Sequence, residues 1–188
     1  MIWDLNYEFI IHFYKLLKIY NLNHHLIAES WEDLVKYLQM ARKKARETYI
    51  ETELVYAYAK TNRLADMEEF ISGPNHANIT QVADRCFDDK MYEPAKLLYN
   101  NVSNFARLAI TLVHLGEYQG AVDGARKANS TRTWKEVCFA CVDHEEFRLA
   151  QMCGLHIVVH ADELEELIAY YTVRINIMLL HRNIKVLN

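Results

Sequence analysis

The stretch Phe105-Ala-Arg-Leu-Ala-Ile-Thr-Leu-Val-His-Leu-Gly-Glu-Tyr118-Gln-Gly-Ala121 has the same pattern as the stretch Trp134-Lys-Glu-Val-Cys-Phe-Ala-Cys-Val-Asp-His-Glu-Glu-Phe147-Arg-Leu-Ala150. In each, a second aromatic follows the first after thirteen residues, and an alanine follows three residues later. Two amphipathic runs joined by a short polar turn are typical of a helical hairpin. Residues 105–155 therefore predict the same hairpin twice.

A third copy precedes these two. Ile79 and Tyr92 are again thirteen residues apart, and Ala95 follows three residues later. The expected turns are Asp88-Asp89-Lys90, Leu115-Gly116-Glu117 and Asp143-His144-Glu145. Copies begin 26 to 29 residues apart, an interval within the range of stacked repeats. The pattern predicts an all-α solenoid, a superhelix similar to TPR and HEAT arrays, in which alanines allow close helix approach and aromatics fill the layer between repeats.

Composition supports an all-α fold and limits the function. The 188 residues are 52% hydrophobic and include only five glycines and two prolines, too few for the many turns of an all-β protein. A net charge of −4 argues against general nucleic-acid binding. Four cysteines without a visible export signal predict reduced thiols in a cytosolic protein. Protein partners are the expected class.

The first third of the chain is less regular. A helix is expected from about Asn6 to Tyr20, followed by a turn over Asn21 to His25. Ser30 is a candidate N-cap for the next helix, which carries an apolar stripe from Trp31 onward. Further helices are expected at about 48–60 and 64–71, before the breaker Ser72-Gly-Pro-Asn75.

Basic residues crowd the end of the helix that begins near Ser30: Lys36, Arg42, Lys43, Lys44 and Arg46. Cations near a helix C-terminus are favoured by the helix dipole, each by about 0.3–1 kcal/mol, so the cluster has a purely structural explanation. A binding patch for an acidic partner explains it equally well. Arg42 and Arg46 are expected on one helix face, four residues apart, with Lys44 pointing elsewhere.

Several segments resemble the clathrin heavy-chain family: Asp33-Leu-Val-Lys-Tyr-Leu-Gln-Met-Ala-Arg-Lys-Lys-Ala-Arg46, Lys96-Leu-Leu-Tyr-Asn-Asn-Val-Ser-Asn104, Leu112-Val-His-Leu-Gly-Glu-Tyr118, the run from Ala121 to Asp143, and the run from Glu146 to Leu167. The resemblance is nearly continuous from about Trp31 to Tyr171 and corresponds to the leg around the knee. Residues 1–30 and 172–188 do not resemble the family. The predicted organisation is thus a divergent, helical N-terminal segment (1–30), a heavy-chain-repeat solenoid (31–171) and a divergent C-terminal segment (172–188).

The resemblance implies a structural role without catalysis or cofactors. In this family, solenoid legs pack together in the coat of endocytic and Golgi-derived vesicles. The implied location is the cytoplasmic face of coated pits and vesicles, with the membrane contacted only indirectly, through the coat and its adaptors. Other heavy-chain legs and the clathrin light chain are the implied partners.

The resemblance also assigns residues. An acidic segment of the light chain is expected at a basic cluster near the knee, which maps to Arg42, Lys44 and Arg46. Exposed charge pairs are each worth about 0–1 kcal/mol, so this contact should be sensitive to salt. The repeat template assigns the packing positions: Trp31, Tyr92, Ala95, Phe105, Tyr118, Ala121, Trp134, Phe147 and Ala150.

Two alternatives remain at this level. One is a helical-repeat adaptor outside the clathrin family that binds an acidic protein. The other is a zinc-binding helical domain, since Cys138-x-x-Cys141 and Cys153-x-x-His156 have ligand types and spacings that zinc accepts. Sister repeats place Ala109, Leu112 and Gly124 at the cysteine positions, which favours packing over metal binding. The sequence shows neither a phosphate-binding loop nor a nucleophile elbow.

Overall fold

The structure, a computed structural model, describes residues 24–44, 46–158 and 165–174. On its first helix, the described side chains are those of residues 31–43. The expected helix at 6–20 lies outside the described residues. The chain divides into two compact units, residues 1–78 and residues 79–188.

Three helices make up the described part of the first unit: α1 (His24–Lys44), α2 (Thr48–Lys60) and α3 (Leu64–Ser72). Each packs against the next. Helices α2 and α3 lie where the sequence predicts them. The expected N-cap at Ser30 and the expected turn at residues 24–25 are wrong, because α1 is already helical from His24. The apolar stripe identified in the sequence begins near Trp31, whereas the helix begins seven residues earlier.

The second unit contains further helices in regular succession: α4 (Ile79–Asp88), α5 (Tyr92–Asn101), α6 (Phe105–His114), α7 (Tyr118–Ala128), α8 (Thr131–Asp143) and α9 (Phe147–Ile157), followed by helical residues 165–174. Consecutive helices pack pairwise, and α6 also packs on α8 and α7 on α9. First helices therefore stack on first helices, and second on second, which is the solenoid arrangement that the sequence predicts.

The template predicts where most of these helices start. Ile79, Tyr92, Phe105, Tyr118 and Phe147 are each the first residue of a helix. Trp134 is the exception, because α8 already begins at Thr131. All of the described helices are either too short or too polar to cross a membrane.

The hairpin turns share one backbone geometry. Lys90, Gly116 and Glu145 each have positive φ, of 60°, 76° and 63°. In the turn of α6 and α7, the Glu117 amide donates to the Leu112 carbonyl at 2.9 Å and the Gly116 amide to the Val113 carbonyl at 3.0 Å. This pair of bonds is the Schellman motif, which ends a helix with one left-handed residue.

The expected turn triplets were not in register with one another: Leu115-Gly116-Glu117 is shifted by one residue relative to the other two. The left-handed residue stands two positions before the aromatic in every copy, so the residue equivalent to Gly116 is Glu145, not His144. His144 has φ of −100°, which any residue adopts. Each expected triplet nevertheless contains the left-handed residue of its turn.

Candidate functional site: the repeat-packing layer and the basic end of the first helix

The alanines assigned to the packing layer are fully buried. Ala95, Ala121 and Ala150 have no exposed surface, and each occupies the fourth position of the second helix of its hairpin. A side chain larger than a methyl group at these positions would have to displace the facing helix, because protein interiors have few voids.

The closest helix approach involves a glycine that the template did not single out. A Cβ atom built on Gly124 would lie 3.1 Å from the Ala109 Cβ and 3.3 Å from the Ala109 Cα. The α6 and α7 backbones are therefore separated at this point by little more than the Ala109 methyl group. A signal existed in the sequence, since a helix-weakening glycine inside a clear amphipathic run usually has a packing reason.

Aromatic residues of the packing layer stack on histidines. The Tyr92 ring lies parallel to that of His114 with centroids 4.6 Å apart, and Tyr118 contacts His144 at 5.0 Å. In both cases the tyrosine opens the second helix of one hairpin and the histidine ends the first helix of the next. The contacts thus bind consecutive hairpins to each other, and the sequence template missed the histidine partners.

The other aromatics assigned to the layer differ in burial. Trp134 is 3% exposed and stacks on His156 with centroids 4.1 Å apart. Phe105 is half-buried, whereas Phe147 is 45% exposed. Trp31, in the first unit, meets Tyr56 edge-on with centroids 5.7 Å apart.

The cysteines lie inside the second unit, not at an open site. Cys138, Cys141 and Cys153 have no exposed surface. The Cys138 thiol lies 3.4 Å from the Ala150 carbonyl oxygen, to which it donates, and burial raises its pKa. A hydrogen bond with Cys141 and burial raise the pKa of Cys153. Fully buried free cysteines behave as small hydrophobic side chains, so this environment favours packing.

His156 does not complete a ligand set with these cysteines, since its ring lies flat on Trp134. Within residues 24–44, 46–158 and 165–174, no group of three or more His, Cys, Asp or Glu side chains is arranged to hold a metal.

The basic cluster is divided between two settings. Helix α1 ends at Lys44, and Arg46 lies in the connection to α2 with its side chain exposed. The expectation that Arg42 and Arg46 share a helix face is therefore wrong, because the helix ends between them. The Lys44 side chain lies outside the described residues. Lys43, which the family resemblance does not assign to the light-chain contact, is exposed.

Arg42 faces inward. Its Nε donates to the Glu51 carboxylate at 2.9 Å, and its side chain is only 29% exposed. One terminal nitrogen donates to the Pro74 carbonyl at 3.3 Å, and the guanidinium carbon lies 4.3 Å from the centre of the Phe70 ring. Arg42 is thus engaged on three sides within the first unit.

Comparison with known proteins identifies relatives that match about three quarters of the chain. The family model described as a region in clathrin and VPS matches residues 13–149. The chain is 82% identical over 143 residues to a clathrin heavy chain of Drosophila melanogaster, covering 76% of this chain and 8% of that protein. It is 73% identical over 144 residues to clathrin heavy chain 2 of Homo sapiens, covering 77% of this chain and 9% of that protein.

A relative with lower sequence identity matches over a similar length of the chain. The chain is 56% identical over 147 residues to a probable clathrin heavy chain of Schizosaccharomyces pombe, covering 78% of this chain and 9% of that protein. The chain thus spans less than a tenth of the length of these relatives. The resemblance to clathrin heavy chains is confirmed, and the chain belongs to the clathrin heavy-chain repeat family, whose fold is an α-helical solenoid.

Proposed function

We propose that this chain is a structural segment of a clathrin-type vesicle coat, acting in endocytosis and intracellular protein transport at the cytoplasmic face of coated pits and vesicles. The observation that carries the proposal is the stack of hairpins joined through buried alanines and His–aromatic pairs, in a chain 82% identical to a clathrin heavy chain over 143 residues. Such a stack serves as a rigid strut. The segment works by packing against other heavy-chain legs, and catalysis has no part in it.

The assembly role can be tested by competition. Purified full-length heavy chain is induced to form cages in the presence of increasing amounts of this chain, and assembly is followed by light scattering. A segment that occupies leg-packing contacts lowers the scattering in proportion to its concentration. The control is the same chain with Trp134→Ala, whose packing layer is disrupted. Equal scattering with and without a large excess of the folded chain would refute the role in leg packing.

The basic cluster is proposed as the contact for an acidic segment of the clathrin light chain. Arg46 and Lys43 support this role through their exposure, and Lys44 is retained with them. The inward contacts of Arg42 make it the member with the least capacity for a partner. Exposed charge pairs contribute only about 0–1 kcal/mol each, so the affinity for the acidic segment should fall with added salt.

Charge reversal tests this contact. Arg46→Glu should weaken binding of purified light chain at low salt and leave the helical circular dichroism unchanged. Arg148→Glu is the matched control, because it reverses another exposed arginine in the second unit. Light-chain affinity unaltered by Arg46→Glu at low salt would overturn the assignment. The proposed extent of the heavy-chain repeat region, residues 31–171, is a prediction too.

A further inference from the structure

A carboxylate without any exposed surface lies in the middle of the first unit. Glu51 is 0% exposed, and apart from Thr52 the residues buried with it on α2 are hydrophobic. Burying an ionised carboxylate is costly unless hydrogen bonds and an opposite charge compensate for it. Nothing in the coat role described above requires a charge at this position.

The compensation comes from two other parts of the chain. One carboxylate oxygen accepts the Nε–H of Arg42 at 2.9 Å, and the other accepts the backbone N–H of His76. The His76 ring nitrogen Nδ1 lies 3.6 Å from the same carboxylate. Glu51 therefore joins α1 and α2 to the segment that follows α3.

That segment, residues 73–78, forms the last residues of the first unit and is here called the exit segment. It contains no helix. The Asn75 side chain shapes it locally, donating to the Gly73 carbonyl at 2.9 Å and accepting from the Ala77 amide at 3.2 Å. The same side-chain amide nitrogen reaches the Phe70 and Ile71 carbonyls of α3 at 3.5 and 3.4 Å, so these bonds order the turn and connect it to the end of α3, but not to α1 or α2.

Residues of α1 and α2 attach the exit segment to these two helices. The Asn78 amide donates to the Thr52 hydroxyl at 2.9 Å, next to the bond between His76 and Glu51. Arg42 adds a bond to the Pro74 carbonyl at 3.3 Å. Arg42, Glu51 and Thr52 thus each bind the exit segment at one point, at Pro74, His76 and Asn78.

We infer that Glu51 acts as an internal latch, which holds the exit segment against α2 while its carboxylate is charged and paired with Arg42, and releases it when that charge or that partner is lost. The charged and titratable groups that face the carboxylate are Arg42 from α1 and His76 from the exit segment. The latch assigns Arg42 a positioning role, independent of any light-chain contact.

Loss of the carboxylate charge should weaken the latch mainly at one point, the His76 amide. With its charge removed, Glu51 would no longer attract Arg42, and the His76 amide would lose a charged acceptor. Hydrogen bonds to charged groups are roughly twice as strong as neutral ones. The Thr52 and Asn75 bonds would remain, so release should be greatest at His76.

Hydrogen exchange of the intact chain tests the latch. Glu51→Gln retains the size of the side chain and removes its charge, and the His76 amide should then exchange at least about tenfold faster, while amides of α7 stay unchanged. Glu69→Gln is the matched control, since it removes an exposed carboxylate from the same unit. A folded Glu51→Gln chain whose His76 amide exchanges at the wild-type rate would overturn the inference.

A measurement on the unaltered protein covers the case in which Glu51→Gln does not fold. The amide resonance of His76, followed by NMR during acidification, should shift with a single carboxyl titration. The Thr52 and Asn78 amides should shift less. A His76 amide that shows no such titration before the chain unfolds would refute the latch, whatever the variant does.

Discussion

Two glycines of α7 allow a direct test of how closely the hairpin helices pack. Gly120 and Gly124 lie one helical turn apart. A Cβ atom on Gly120 would meet only the Leu112 Cδ1 at 3.4 Å, an ordinary contact with the flexible end of a side chain. A Cβ atom on Gly124 would meet Ala109 at 3.1 Å from its Cβ, 3.3 Å from its Cα and 3.4 Å from its backbone nitrogen.

The expected free energies follow from these distances. Replacing a glycine by alanine inside a helix gains about 0.5–1 kcal/mol, because the unfolded chain loses freedom. Gly120→Ala should show this gain in full. Gly124→Ala receives the same gain but forces the α6 backbone away, and such overpacking costs about 1–3 kcal/mol. The second variant should therefore be about 1–3 kcal/mol less stable than the first.

Urea denaturation followed by circular dichroism at 222 nm measures the difference. Both substitutions affect one helix and the same cooperative unit, so the propensity gain cancels when the variants are compared. Combining Gly124→Ala with Ala109→Gly removes the 3.1 Å contact and should recover part of the loss. If Gly124→Ala were as stable as Gly120→Ala, the close approach of α6 and α7 would be refuted.

The remaining predictions concern the core, the turns and pH. Trp134→Ala removes a side chain 3% exposed and should cost about 3–5 kcal/mol by urea denaturation, whereas a loss below about 1 kcal/mol would contradict its packing role. Gly116→Ala should destabilise the chain and Lys90→Gly should stabilise it, each by roughly 1 kcal/mol, because both positions have left-handed backbone conformations. In thermal melts, the melting temperature should therefore fall for Gly116→Ala and rise for Lys90→Gly. Unchanged melting temperatures in both variants would show that the turns are flexible. Burial raises the pKa of Glu51, but the His76 amide and Arg42 outweigh it and leave the pKa below the ordinary value of 4.5. A lowered folded-state pKa stabilises the chain above the unfolded value, and this contribution is lost as the pH falls through the folded value. The stability difference between wild type and Glu51→Gln should accordingly narrow below pH 4.5, and a difference that is constant down to acid unfolding would contradict the sign.

Sequence periodicity located the hairpins because each must bury one face of each helix. The thirteen-residue spacing of aromatics and the alanine three positions later identified the starts of α5, α6, α7 and α9. Trp134 shows the limit of the aromatic template, since its burial could be predicted from the template but the helix begins three residues earlier, at Thr131, directly after Ser130, a residue type that favours N-caps. Burial depends on the side chain, whereas the helix start also depends on polar residues that carry no periodic signal.

Arg42 shows a different limit. Its charge and its place near a helix end indicated an exposed patch, and the helix was expected to extend to Arg46. In the structure, Arg42 pairs with a residue nine positions away and with Pro74, 32 positions away. Charge patterning cannot separate an exposed cation from one that neutralises a buried carboxylate, because the difference depends on which helices pack. The stretch from Ile50 to Ala59 contains two charged residues, Glu51 and Glu53, and the sequence alone does not show which of them is buried.

The sequence by itself determined the all-α solenoid, the repeated hairpins, the buried alanines and the clathrin heavy-chain family. The solenoid, the hairpins and the buried alanines follow from local periodicity and residue size, which act within one or two helical turns, whereas the family follows from the resemblance of particular segments to clathrin heavy chains. Only the tertiary structure decided that Tyr92 stacks on His114, that Gly124 lies against Ala109, and that Glu51 holds the exit segment. Each of these contacts joins residues from different helices or connections, and their formation depends on the packing distances and orientations that the whole unit imposes.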